Sequence, residues 1–333
     1  MSLPSGVSAR PLLPGARLFQ GSRQGYVIAI ISAMLLAFTA IIIRALTEYY
    51  HLPTFVLAFW RAALVALVLL PLLLLVKPQW ARLRREQVLF YALYGLLLAL
   101  FNSLWTLSVA LNGASVATIL TYCSVGFTVF LGWVMYSERL TLRQLLVIAI
   151  SLGGCFLVSN GDSMGNQHFD LLGLLVGMLS GIGYTLGGRV ASERGYPVWN
   201  TILYVFGFSA LYQLVFNAAL TAFPLAAFPL AAFHGMAGDL WFLSHGAQGI
   251  QWSGWLLLLA LAAGPTLLGF GLYNISLKTL PLAVANLILS LELVFTAVIA
   301  YFLLGENMNQ LQLLGSALVM GGVLLLKSKT AEA

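Results

Sequence analysis

The sequence predicts an all-α membrane protein of ten transmembrane helices, arranged as two inverted five-helix repeats. Three observations carry this prediction. Hydrophobic residues make up 61% of the 333 positions and charged residues only 8%, against roughly a quarter charged in an ordinary soluble domain. Long apolar runs recur along almost the whole chain, with the basic residues gathered between alternate runs. Part of the first half also matches the second half at one fixed offset.

Crossing the hydrocarbon layer takes about 20 predominantly apolar residues. Backbone groups that meet no water there must pair within the segment, so each run is expected to be a helix. The alternating pattern of a membrane barrel is absent. The first half supplies runs at 26–43, 52–76, 89–111, 114–136 and 142–158. The second supplies 171–187, 199–220, 255–276, 281–304 and 311–326. Residues 1–24 hold Arg10, Arg17 and Arg23 among prolines and glycines and lack the apolar core of a signal peptide, so they read as a cytoplasmic tail. Residues 25–160 then form the first unit, 170–327 the second, and 328–333 a short cytoplasmic tail. The connection 221–251 is broken by Pro224 and Pro229 and reads as an external interfacial or hairpin-like segment. Trp252 and Trp255 stand at the interface where the eighth span begins.

Orientation follows from the charges. With a cytoplasmic N-terminus, 14 of the 16 Lys and Arg residues fall on the cytoplasmic side, and only Arg44 and Arg61 lie toward the other. This is the bias that membrane insertion imposes, and moving the count by one helix would scramble it. Both termini are therefore expected in the cytoplasm of a multi-pass cell-membrane protein. The basic loop 77–85 reads as part of this topology signal and as a contact for anionic membrane lipids, not as a nucleic-acid patch.

Shifting the sequence by 168 residues aligns 107–158 with 275–326 without a gap, and 13 of the 52 positions are identical. Apolar matches come cheaply in such sequences, but Glu138 with Glu306, Gln144 with Gln312 and Gly153-Gly154 with Gly321-Gly322 do not. Five spans per copy is an odd number, so the second copy enters the membrane inverted. Two equivalent halves of opposite orientation can exchange inward-open and outward-open shapes, the usual architecture of secondary transporters.

Ser137-Glu138-Arg139-Leu140 and Gly305-Glu306 close the fourth and ninth spans, and Phe59-Trp60-Arg61 opens the second. Together with Leu291-Glu292-Leu293-Val294-Phe295 in the ninth, these segments resemble the EamA-type branch of the drug/metabolite transporter superfamily over about residues 25 to 327. Leu293 stands where that family's motif has proline. The resemblance implies a carrier of small-molecule metabolites, a group that includes exporters of amino acids, acting by alternating access without catalysis. A lipid-modifying membrane enzyme and a noncatalytic scaffold or receptor are the rival classes, and no convergent catalytic set supports the first.

Glu292 stands near the middle of an apolar run, where an ionisable group is costly and usually faces an interior cavity. It is a candidate for proton coupling or for recognising a basic substrate group, with a hydrogen bond between helices as the structural alternative. Arg61 lies nine residues into the second run and could bind a substrate carboxylate, pair with Glu292 or snorkel outward. Trp105, Thr121, Tyr122, Tyr184, Asn274, Asn286 and Ser290, with Asn102, are the further candidates for lining a cavity between the halves. Each of these amides and hydroxyls could instead join helices to one another. Glu138 and Glu306, at the membrane edges, read as helix terminators or members of local networks. Pro265 among Gly264, Gly269 and Gly271 predicts a kink in the eighth span. Glycines at 173, 177 and 181 permit close helix approach, for local packing, a hinge or a homodimer surface. No HExxH, paired-histidine or GxxxxGK motif occurs, so no metal or other cofactor is expected.

Overall fold

The computed structural model describes residues 23–122, 142–159, 175–176, 178–180, 194–222, 236–244, 250–276, 280 and 288–327. These residues are helical almost throughout. We label α1 (Arg23–Glu48), α2 (Thr54–Val76), α3 (Arg85–Asn112), α4 (Ala114–Thr121), α5 (Leu142–Ser159), α6 (Val198–Ala222), α7 (Trp252–Ser276), α8 (Leu291–Leu304) and α9 (Gln310–Lys327). Five of them, α1, α2, α3, α6 and α7, are long and apolar enough to cross a membrane. The protein is thus an all-α, multi-span membrane protein with at least five transmembrane helices. Outward-facing Leu67, Leu75, Leu89, Leu256 and Phe302 are exposed, as expected where lipid rather than water is the solvent.

Helices of the first half pack mainly on helices of the second. α1 lies against α7 and α8, α2 and α3 lie against α6, α4 against α8, and α5 against α9. Small residues set these distances. A Cβ on Gly154 of α5 would sit 2.7 Å from the carbonyl oxygen of Gly315 on α9, and one on Gly95 of α3 would sit 2.5 Å from the Cβ of Phe208 on α6. Without a hydrophobic force between helices in lipid, such backbone approach is what holds the bundle together.

The two ends of the bundle differ. At one end α2 runs into a 3-10 turn (Pro78–Ala81), whose carbonyls are held by α6: Asn200 Nδ2 donates to Trp80 and Arg82, and the Tyr204 hydroxyl to Ala81. This end carries Arg23, Lys77, Arg82, Arg84, Arg85 and Arg194. At the opposite end residues 236–244 fold back on α2 and α6. Phe55 N–H donates to Met236 O at 2.8 Å, Asn217 exchanges two hydrogen bonds with Gly238, and Trp60 Nε1 donates to Leu240 O at 2.7 Å. Trp60 packs edge-on against Trp241 and Trp255 there. Arg44 serves this end as a brace. It pairs with Glu48 at 2.9 Å and donates to the carbonyls of Val109 and Ala110 in the last turn of α3.

Two spans depart from the simple helices that their composition predicts. In the eighth, residues Ala262–Gly269 form a π-helical stretch around Pro265, where the sequence predicts a kink. Proline lacks the N–H that would bond four residues back, and its ring crowds that carbonyl. The wider turn relieves the crowding, and the Thr266 hydroxyl donates to Leu261 O at 2.9 Å in place of the lost amide. The ninth span is not one uninterrupted helix from Pro281: Ser290 forms a turn and α8 begins at Leu291.

Candidate functional site

The break before α8 meets the end of α4. α4 stops at Thr121, Tyr122 is a turn, and its hydroxyl lies 2.9 Å from Leu289 O and 3.0 Å from Glu292 Oε2. Tyr122 and Ser290 are the positions that the 168-residue offset superposes, so the end of α4 and the turn before α8 fall at matching positions and are in contact. Glu292 sits in the first turn of α8, where the partial positive charge of a helix N-terminus favours a carboxylate. The phenol has one proton and two acceptors. A protonated Glu292 donates to the phenol oxygen, leaving the phenol proton for Leu289 O. An ionised Glu292 competes with Leu289 for that single proton.

Arg61 stands apart from this pair. It lies seven residues into α2, roughly 10 Å at the helical rise, and is only 3% exposed. Its guanidinium lies over the Trp105 ring, 5.1 Å from the centroid. Among the described residues, Nε and Nη1 have no hydrogen-bond partner, and no ion pair joins Arg61 to Glu292 or to any other carboxylate. The pairing envisaged with Glu292 is absent from this conformation, and so is the outward snorkel, because the head group is buried. A buried, unpaired guanidinium costs several kcal/mol.

Among the described residues, Trp105 Nε1 and both amide atoms of Asn102, one turn earlier on α3, are also buried and unpartnered, as are the hydroxyls of Thr39, Thr106, Ser209 and Thr296 elsewhere in the bundle. Gln213, fully buried on α6, donates only a long 3.5 Å bond to Ala99 O and leaves its oxygen free. Soluble proteins leave few such atoms, and hydrocarbon offers no water to satisfy them. Their signal in the sequence was a polar residue inside an apolar run, but periodicity could not tell which of many such residues would be left without a partner.

The other sequence candidates divide. Ser290 is buried beside Glu292, and Thr121 spends its hydroxyl on Ala117 O of its own helix at 2.9 Å. Asn274 likewise donates to Phe270 O one turn back, at 2.8 Å. Tyr184 and Asn286 lie outside the described residues, as does Glu138. Glu306 is more than a terminator. Following α8, it reaches into the first half and caps α4: Ala114 N–H donates to Oε1 at 2.8 Å, and Ser115 N–H and hydroxyl donate to Oε2 at 3.1 and 2.9 Å. Gly113, at φ +84°, supplies a backbone conformation that suits glycine and leaves room for the carboxyl, which a Cβ would approach to 2.8 Å.

Known proteins bear on this arrangement. The model of the EamA-like transporter family matches the chain twice, over residues 23–160 and again over 169–328. The chain belongs to the EamA-like transporter family. Its place in this branch of the drug/metabolite transporter superfamily makes it a transport protein rather than an enzyme. The threonine/homoserine exporter RhtA of Escherichia coli strain K12 is 28% identical over 279 residues, which are 81% of this chain and 82% of that protein. An uncharacterized transporter of Archaeoglobus fulgidus is 24% identical across 68% of this chain and 74% of its own. A probable amino-acid metabolite efflux pump of Escherichia coli strain K12 is 27% identical over 63% and 66% of the two chains. One solved crystal structure superposes on 91% of this EamA-like chain and 96% of its own with a TM-score of 0.57 at 16% identity, a likeness of fold alone. The Tyr122–Glu292 contact runs between the two matched segments.

Proposed function

We propose that this protein is a secondary transporter that exports amino acids or related small amphipathic solutes by alternating access, in exchange for protons at Glu292. The observation that carries the reading is the contact of Tyr122 with Leu289 and Glu292, where the end of α4 meets the turn before α8 at positions that the internal offset relates. Interrupted helices at the meeting surface of two inverted repeats are a recurrent way to build a transport site near mid-membrane. In this reading the chain has ten spans in two inverted five-helix halves. The double family match and the packing of the fourth span on the ninth and the fifth on the tenth support that. Arg61 and Asn102 above Trp105 then receive the polar head of the solute, the carboxylate on the guanidinium. The amino-acid exporters among the relatives support the solute class.

Proton coupling has a direct test. Purified protein in proteoliposomes is loaded with a labelled amino-acid panel that includes threonine and homoserine, and efflux is followed at external pH 5.5 to 8.5. The wild type is expected to vary severalfold with pH. Glu292→Gln, whose amide donates permanently to the Tyr122 oxygen, is expected to flatten the profile and to slow net efflux about tenfold or more. Tyr122→Phe is expected to retain pH dependence with a displaced midpoint. An unchanged rate and profile in Glu292→Gln would remove Glu292 from the mechanism.

The basic end of the bundle is the cytoplasmic end in this reading, with both termini on that side. In a background with Cys123 and Cys155 replaced by serine, Gln79→Cys is expected to resist an impermeant maleimide in intact cells and to react in inverted vesicles. Labelling of Gln79→Cys from outside would reverse the orientation.

A further inference from the structure

We propose that the basic end carries a built site for the phosphate of an anionic phospholipid headgroup, between the start of α3, the 3-10 turn before it and the entry to α6. A depression of about 450 Å³ lies there, with Arg82, Arg84 and Arg194 in its lining. Three arginines and one acidic residue, Glu86, line it, and Glu86 stands 3.7 Å from Arg84. Guanidinium forks match phosphate oxygens in pairs, which makes arginine the side chain suited to such a group.

The wall is rigid before any ligand arrives. Asn200, 2% exposed, lines the depression, accepts a hydrogen bond from the Tyr91 hydroxyl at 2.6 Å and ties down the carbonyls of Trp80 and Arg82. Arg194 lies over the Phe90 ring, 5.7 Å from its centroid, so its head group is also directed. Each cation contributes through attraction to an anionic surface and through the site's geometry.

What favours a lipid over a soluble phosphate is the exposed apolar side chains that neighbour the lining residues in sequence. Leu83 lies between Arg82 and Arg84 in the chain, Leu89 follows on α3, Val198 opens α6, and all three are exposed. Apolar surface beside a phosphate pocket at the end of membrane-spanning helices suits a molecule with a phosphate head and acyl tails. The site stands apart from Arg61 and Glu292, and its occupancy does not depend on what solute the protein carries.

The test is lipid binding to the purified full chain, followed by native mass spectrometry in detergent. Phosphatidylglycerol is expected to bind at least tenfold more tightly than phosphatidylcholine. Arg82→Gln with Arg194→Gln should weaken phosphatidylglycerol roughly twentyfold, whereas Arg23→Gln, a basic residue of the same end outside the depression, should change it less than threefold. Glu86→Gln removes the opposing carboxylate and should tighten binding about threefold, an effect of opposite sign that misfolding cannot imitate. Equal losses from Arg23→Gln and the double variant, or weaker binding in Glu86→Gln, would reduce the effect to bulk charge and overturn the site. Displacement of phosphatidylglycerol by millimolar inorganic phosphate would make the ligand a soluble phosphate and overturn the lipid assignment.

Discussion

Arg61→Gln is expected to cut transport at least 100-fold while making the solute-free protein more stable. The two effects have one cause. Two guanidinium nitrogens of Arg61 are buried without partners, and in the proposed reading they are completed by a solute carboxylate. Hydrogen bonds to a charged group contribute about 1.5–3 kcal/mol each. Losing two therefore removes about 3 kcal/mol or more of solute binding, beyond the 1.4 kcal/mol that makes a factor of ten. Without solute the same guanidinium is an uncompensated buried charge, and replacing such a group by a neutral one of similar size is often stabilising. Efflux from proteoliposomes reads the first effect, and unfolding in mixed detergent micelles reads the second. A variant that lost both activity and stability would show that Arg61 holds the fold rather than the solute. Arg61→Lys keeps the charge but not the fork over Trp105, and is expected to fall between.

The second large effect is expected at Glu306, in stability. Glu306→Ala should destabilise the protein by about 3 kcal/mol, more than an ordinary helix cap, whose loss costs about 0.5–2 kcal/mol. One carboxylate here takes two backbone N–H groups and a hydroxyl at the start of α4. Those amides have no preceding turn to bond to, and the charge adds to each bond. Glu306→Gln keeps one acceptor and should cost less. Ser115→Ala should cost least in the wild type and almost nothing in Glu306→Ala, because the hydroxyl bond is already gone. Additive losses from Glu306→Ala and Ser115→Ala in reversible unfolding measurements would show that the three bonds are not one unit.

Much of the fold was legible because lipid imposes so few choices. Apolar runs had to be helices, and the described ones agree with the predicted runs to within a few residues at most ends. α1 overruns its 26–43 run because Arg44 and Glu48 form an ion pair that carries the helix on. The basic clustering also holds among the described residues. The family followed from a handful of motif residues. What could not be read was pairing across the bundle. Asn102 and Asn274 are both asparagines in apolar helices, yet one amide is unpartnered and the other bonds its own helix. Glu306 carried no sign that its partners were the amides of residues 114 and 115, 191 and more positions away. Pro265 predicted a disturbance but not its form, because a kink and a widened turn both relieve the same clash.

That widened turn has a geometric consequence. A π-helical stretch bonds each residue to the fifth along rather than the fourth, so it stores surplus chain inside a helix whose ends need not move. The ends of α7 are pinned: Gly254 sits against Leu243 and Tyr50, Gly271 against Trp199, and Ser32 of α1 donates to Gly269 O at 2.8 Å. Passing one surplus residue along such a rod turns each residue it crosses by about 100° around the axis, as a dislocation moves through a crystal. Pro265 fixes where the surplus sits, because moving it away would restore the clash of its ring with the carbonyl four residues back. The face that α7 presents beyond Gly269 is therefore turned about the axis, relative to an unbroken α-helix, by the surplus chain held at Pro265.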